Sequence, residues 1–231
     1  MNVTYIHHSG FLIETEDCYY LIDYFQGSIP ALNPCKPVLV LASHKHHDHY
    51  QKSVFNILKD MGMQSIYAVL SRDIPAGARP EDVPCLPVSA GKRYELPQGQ
   101  ELVTFRSTDV GVAFLIRDGQ ELFYHAGDLN DWVWSEEPEA DNQRMTEKYQ
   151  KQIDLLAREL DGRTLTAAFV VLDPRQEQDY DRGMLYFLQH ISCGCVYPMH
   201  YWEQPQIMAR FLREYPQYQS RVKLTQPIDS M

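Results

Sequence analysis

The chain has 231 residues, 44% hydrophobic and 23% charged, which are ordinary globular values and exclude disordered, collagen-like and coiled-coil readings. Against 21 Lys and Arg stand 31 Asp and Glu, a formal net charge of −10. That balance weighs against broad nucleic-acid binding, which needs many cations to neutralise phosphates.

Four short strands are expected first, over 3–7, 11–15, 19–23 and 38–42, each mixing β-branched, aromatic and leucine residues between turn formers. Val54, Phe55, Leu58 and Met61 fall at helical spacing and predict a helix over 51–61, with Gly62 where a helix C-cap belongs. Residues 65–70 read as a strand again. Further strands are expected over 102–106, 112–117 and 121–125, the last two joined by a hairpin at Asp118-Gly119. The pattern then alternates: a helix over 142–160 with Asp141 as N-cap, a buried strand over 168–172, a helix over 183–191, a strand over 195–198 and a helix over 206–215. Two sheets between outer helices would satisfy this order. No repeat or Gly/Ser linker divides the chain, so one domain is expected over 1–231.

The longest apolar runs, 38–42 and 167–172, have strand length and are too short to cross a bilayer. The N-terminus has no basic segment followed by an apolar one, so no secretory signal is read there. Five irregularly spaced cysteines argue against a disulfide framework. A cytoplasmic setting without a membrane partner is the expectation, and a homo-oligomer is left open. Cys193-Gly194-Cys195 is read as two small buried residues entering a strand rather than as a metal pair.

The decisive segment is Ser43-His44-Lys45-His46-His47-Asp48-His49-Tyr50, which holds four of the nine histidines. Neutral imidazole suits zinc and other divalent transition metals, and carboxylate suits harder ions. A strand-to-helix loop carrying His44, His46, Asp48 and His49 can splay them toward two cations. The competing reading is a polar, metal-scavenging tract. Later loops must complete the sites. His125-Ala126-Gly127-Asp128 ends a strand in a tight turn and presents Asp128, which can bridge two cations. Pro198-Met199-His200 ends another strand and presents His200.

Taken together, these residues resemble the His-x-His-x-Asp-His motif of the metallo-β-lactamase-fold hydrolases. His44, His46, Asp48 and His49 match it, Asp128 matches the later bridging Asp, and His200 matches the last His. The segments beginning Tyr5-Ile6-His7-His8 and Tyr20-Leu21-Ile22-Asp23 are similar to the start of the compact lactonase-like branch, which includes ascorbate-6-phosphate lactonase. The resemblance implies an α/β fold, an αββα four-layer sandwich of two mixed β-sheets flanked by helices. It implies two divalent metal ions at one edge between the sheets, zinc first, with manganese or iron as alternatives. It also implies a small-molecule substrate, anionic in this reading, cleaved at an ester, lactone or phosphoester bond by metal-activated water. Asp48 and Asp128 are the catalytic candidates.

One departure stands out: the family supplies a further His before the bridging Asp, and no His lies between His49 and His125. Asp109 stands in the matching loop and is expected to replace it as a ligand of the first cation, which tilts preference toward Mn²⁺ or Fe²⁺. The alternative is a turn residue and a weakly held first cation.

Six further residues are candidates for the pocket or for holding the ligands: His8, Asp23, His125, Asn130, Asp173 and Arg175. Asp23 could accept a hydrogen bond from a ligand His. Arg175 could clamp a phosphate or carboxylate with its planar fork, or serve a structural salt bridge. Trp132, Trp134, Tyr201 and Trp202 are wall or packing candidates. His7, His47 and His190 are expected to face away from the cations. The competing functions are a phosphodiesterase or nuclease of the same superfamily, and a catalytically weak metal-binding or ligand-sensing protein.

Overall fold

The computed structural model describes residues 1–225. Its first sheet holds β1 (Asn2–His7), β2 (Gly10–Glu14), β3 (Tyr19–Ile22), β4 (Val38–Ala42), β5 (Ile66–Ser71) and β6 (Cys85–Val88), in that spatial order. The second holds β7 (Arg93–Glu95), β8 (Glu101–Arg106), β9 (Val112–Asp118), β10 (Glu121–His125), β11 (Leu165–Val171) and β12 (Cys193–Met199), ordered β12-β11-β10-β9-β8-β7. Both sheets are mixed. β1, β2 and β3 are antiparallel, and β3 to β6 are parallel. In the second sheet β7 to β10 are antiparallel, and β10, β11 and β12 are parallel. The helices are α1 (Val54–Asp60), α2 (Glu139–Leu160), α3 (Arg182–His190) and α4 (Gln206–Glu214).

The period-two alternation of a strand sorts the core into layers. On β4, Val38, Val40 and Ala42 pack with Val54, Phe55 and Leu58 of α1, while Leu39 and Leu41 face the other way. On β10, Phe123 meets Tyr20 of β3 with ring centroids 5.0 Å apart. Its neighbour Tyr124 stacks instead on Phe187 of α3 at 5.6 Å. Phe11 of β2 and Phe169 of β11 also meet across the sandwich, at 4.5 Å. Fully burying a side chain such as Phe123 stabilises the fold by roughly 1.5–3 kcal/mol. The layers are therefore helix, sheet, sheet, helix, the expected αββα sandwich.

Two strands, β6 and β7, were not expected, and several ends move. α1 begins at Val54 rather than at residue 51, because the preceding loop is committed elsewhere: Tyr50 N–H donates to His46 O, and Gln51 N–H to Tyr24 O. α2 begins at Glu139, with Pro138 rather than Asp141 as N-cap. Glu139 and Asp141 lie in its first turn, where the helix dipole favours negative charge. The Asp118-Gly119 hairpin forms as expected, and Gly62 follows α1 with φ +82°.

Strand direction positions the site. β1, β3 and β4 run one way in the first sheet, as do β8, β10, β11 and β12 in the second. Beyond their C-terminal ends lie His8, Asp23, the 44–49 loop, Asp109, Asp128, Asp173 and His200. Backbone bonds tie the sheets together at this edge: Val112 N–H donates to Ser43 O (3.0 Å) and His200 N–H to His8 O (3.1 Å). Among the described residues no helix is long and apolar enough to cross a membrane.

Candidate metal centre

Two groups of potential ligands form at this edge. His8, Asp48, His49 and His200 make one, and His44, His46, Asp109 and Asp128 the other. Within each, the donor atoms lie within 4.8 Å of one another. Asp128 faces both. Its Oδ1 is 3.1 Å from His49 Nε2 and 3.5 Å from His200 Nε2, and its Oδ2 is 3.4 Å from His44 Nε2. His8 Nε2 is 3.4 Å from Asp48 Oδ2, and His46 Nδ1 is 3.6 Å from Asp109 Oδ2.

The far sides of three imidazoles are fixed. His49 Nδ1 lies 2.8 Å from Asp23 Oδ2, which also accepts from the Ser43 hydroxyl at 2.7 Å. Asp23 Oδ1 accepts from Ser43 N–H at 2.7 Å. His44 Nδ1 is 2.9 Å from Ser43 Oγ, and His200 Nδ1 is 2.9 Å from Asp173 Oδ2. Each of these rings therefore turns Nε2 toward Asp128.

The donor set fits divalent cations. His8 Nε2, His44 Nε2, His49 Nε2 and Asp128 Oδ1 are buried and have no hydrogen-bond partner among the described residues. Leaving such an atom unsatisfied costs about 1–3 kcal/mol. Imidazole nitrogen and carboxylate oxygen are the donors that zinc, manganese and iron accept. The two groups differ in exposure. His46 and Asp109 side chains are each 43% exposed, whereas His49 is fully buried.

Protonation follows the geometry. Burial would raise the Asp128 carboxyl, but His49, His200 and His44 hold it well below the ordinary range. Asp48 is likewise lowered, because the His8 and His49 contacts outweigh burial. Burial pushes His8 down to about 4 despite Asp48, and also lowers His44, helped by His49. Those two rings keep free lone pairs at neutral pH. Burial would lower His49 too, yet Asp128 and Asp23 raise it well above its ordinary value in the metal-free chain.

Backbone strain concentrates here. His8, Asp23 and His200 have φ of +57°, +49° and +65°. Each left-handed non-glycine residue costs roughly 1–2 kcal/mol. Gly111 and Gly127 are required: a Cβ would stand 2.0 Å from Ser43 O at Gly111 and 2.7 Å from Ser43 Cβ at Gly127.

The cavity over the two groups holds about 540 Å³ and is lined by Asp48, Asp109, Asp128, Trp132, Trp134, Arg175 and Trp202, among others. Of the residues expected around the pocket, Asp23, Asp173 and His8 contact candidate ligands. Arg175 reaches the cavity wall and is also ion-paired with Asp173. Asn130 sits behind Thr108 of the cavity wall, and its Nδ2 donates to Gln176 Oε1 at 2.7 Å. His125 is likewise internal. Gly127 N–H donates to its Nδ1 at 3.1 Å, so its Nε2 carries the proton donated to Ser9 O at 2.9 Å. It braces the turn before Asp128. His47 is exposed and belongs to neither group; it reaches the cavity mouth. His190 stacks on Tyr186 at 3.9 Å.

Sequence reasoning passed over Ser43, Thr108 and Met145. Thr108 lines the cavity, and its hydroxyl donates to Asn130 O at 2.6 Å and accepts from Asn130 N–H at 3.0 Å. A small polar residue directly before a ligand run was the available signal for Ser43.

Fold and ligand groups together define a metallo-β-lactamase-type sandwich. Residues 2–143 match the family model described as the beta-lactamase superfamily domain, and the chain belongs to that family. No curated protein matches the sequence. Among solved structures, the fold is similar to Igni18, a metallo hydrolase from the hyperthermophilic archaeon Ignicoccus hospitalis, with 18% identity, 97% of this chain and 94% of that chain covered, and a TM-score of 0.65. It is also similar to CmlA, a diiron β-hydroxylase from Streptomyces venezuelae, with 9% identity, 98% and 52% coverage, and a TM-score of 0.61. A third is Zn²⁺-bound PqqB from Methylobacterium extorquens, with 11% identity, 94% and 85% coverage, and a TM-score of 0.52. At these identities the likeness carries the fold alone.

Proposed function

We propose that this protein is a binuclear metal-dependent hydrolase of a small anionic molecule, cleaving an ester, lactone or phosphoester bond. The observation that carries the reading is the division of Asp128, with one carboxylate oxygen toward each ligand group. His44, His46 and Asp109 would hold one cation and His8, Asp48, His49 and His200 the other, with Asp128 between them. Zinc is the first choice. The carboxylate of Asp109 in the more exposed group also favours manganese or iron there. When bound, such cations supply Lewis acidity, which brings the pKa of water from 15.7 to about 7.

The chain's own residues do the rest. Asp128 is held ionised and orients the nucleophile. Asp23 and Asp173 fix the rings of His49 and His200. The cavity volume suits a small molecule. Its walls carry Asp48, Asp109 and Asp128 against Arg175, without a lysine among the described lining residues, which disfavours a nucleic-acid backbone. The similarity to the lactonase-like branch makes a lactone the first bond to try.

The test is metal content by elemental mass spectrometry combined with hydrolysis of ester, lactone and phosphodiester probes. Near two equivalents and turnover that Asp128→Ala abolishes, with the fold kept, are expected. Turnover surviving in Asp128→Ala would overturn the reading.

A further inference from the structure

The wall facing the ligand groups has an unusual composition. All three tryptophans of the chain line this one cavity. Trp132 and Trp134 are parallel to within 3°, with centroids 5.9 Å apart. Trp202 lies across His8 at 4.5 Å and beside His200 at 5.5 Å. Between them stands Arg175, its guanidinium carbon 4.5 Å from the Trp202 ring centroid and 6.0 Å from that of Trp134. Met145 completes the apolar side.

Arg175 is held but not used up. Its Nε lies 3.0 Å from both oxygens of Asp173, and its Nη2 lies 2.5 Å from Oδ2. Its Nη1 makes no hydrogen bond to the described residues. It is the only Lys or Arg among the described lining residues, so a fixed planar fork with a free edge faces the cavity. Asp173 Oδ2 is also the atom 2.9 Å from His200 Nδ1. An anion on Arg175 therefore sits one carboxylate away from a candidate metal ligand.

We propose that the cavity takes a flat ring bearing a carboxylate or phosphate, the ring lying along the tryptophans and the anion on Arg175, within a few bonds of the scissile bond. This substrate class rests on the hydrolase reading above. Flat indole faces reward a flat ring over a saturated chain, and the arginine fork rewards an oxyanion over an alcohol. A cationic ring is disfavoured, because Arg175 already occupies the place over Trp202 that such a ligand would seek.

The experiment uses the metal-loaded protein and its intrinsic tryptophan fluorescence, which reports on this cavity because every tryptophan lines it. The probes are phenylphosphonate and benzoate, against methylphosphonate and cyclohexanecarboxylate. Each ring anion is expected to bind about tenfold more tightly than its non-aromatic counterpart. Equal affinities overturn the proposal. Whichever of phenylphosphonate and benzoate binds tighter assigns the anion. Arg175→Gln should weaken both aromatic anions about tenfold, with metal content at the parent value. Arg175→Lys, which keeps the charge without the fork, should fall between the two. As a second variant, Trp134→Leu should weaken phenylphosphonate and spare methylphosphonate; loss of neither or of both would refute the stacking. Ring-selective binding without hydrolysis of the ester, lactone and phosphodiester probes would fail the hydrolase reading and leave the ring-anion site standing. Hydrolysis without ring selectivity would do the reverse.

Discussion

His200 and Arg175 lean on one oxygen atom: Asp173 Oδ2 lies 2.9 Å from His200 Nδ1 and 3.0 Å from Arg175 Nε. Asp173 is fully buried, and these partners lower its pKa against the effect of burial. It couples the orientation of a candidate ligand to that of the cavity's arginine. Asp173→Asn keeps the shape and removes the charge. Metal affinity should fall about 10–100-fold, the usual range for a partner behind a ligand histidine. Competition with a chromophoric chelator measures it, and an unchanged affinity would contradict the coupling.

Removing metal should destabilise the fold. Atoms of His8, His44, His49 and Asp128 that have no partner among the described residues are buried at this edge of the sandwich. A cation at 1,000 times its dissociation constant adds about 4 kcal/mol. For a chain of this size that is roughly 10 °C in Tm. Thermal scans with and without a chelator should differ by that order, and coincident scans would count against a bound cation.

Tyr124 gives a prediction of opposite sign. Its ring packs between Phe105 and Phe187, and its hydroxyl is buried without a partner among the described residues. Tyr124→Phe should be neutral or stabilising, by up to about 1 kcal/mol, because it removes an unsatisfied polar group and leaves the ring. Urea unfolding decides it; a loss above that size would mean that the hydroxyl is satisfied in solution.

Asp131 predicts a pH dependence. Its carboxylate accepts from Thr146 Oγ1 at 2.8 Å and Arg182 Nε at 3.2 Å, tying the loop after Asp128 to α2 and α3. Burial nevertheless raises its pKa above 3.8. The folded state then binds this proton more tightly than the unfolded chain, so Asp131's contribution to stability declines as pH rises through the raised value. Asp131→Asn should remove that decline. The urea midpoint of the variant relative to the parent should be more favourable at neutral pH than near pH 4, and the opposite trend would refute the assignment.

Much of the fold was legible because its strands are apolar and bounded by turn residues. Val38–Ala42 announces itself as a buried strand, and the histidine run after it could only be a loop at its end. β6 and β7 were not legible. β6 carries Pro87 and lies at a sheet edge, where Pro is tolerated, and β7 has three residues with charged ends. Neither is long enough to show alternation. At the site, the donors were readable from type and strand position. Asp23, Asp173 and His8 were readable as candidates around them, but which side chain each would meet was not. Asp173 meeting His200 and His8 meeting Asp48 join residues 27 and 40 positions apart, contacts that local pattern does not encode. Asn130 and His125 stand close to Asp128 in sequence, but local pattern does not show that their side chains meet Gln176 and the Ser9 carbonyl.

Ser43 is gripped from every side. Asp23 accepts from its N–H and hydroxyl, Val112 N–H donates to its carbonyl, and Gly111 and Gly127 press so close that a methyl group at either would collide with it. It is the residue before His44. The histidine loop is thus anchored to both halves of the sandwich before any cation arrives, and little chain entropy remains to be lost on binding. Ion selection then depends on donor charge and number rather than on folding of the loop. The buried group reaches the cavity only through Asp48, Asp128 and His200, with His8 and His49 buried behind them, whereas the group containing His46 and Asp109 opens directly to solvent. The two positions would therefore exchange their ions on different clocks, with the exposed one equilibrating first.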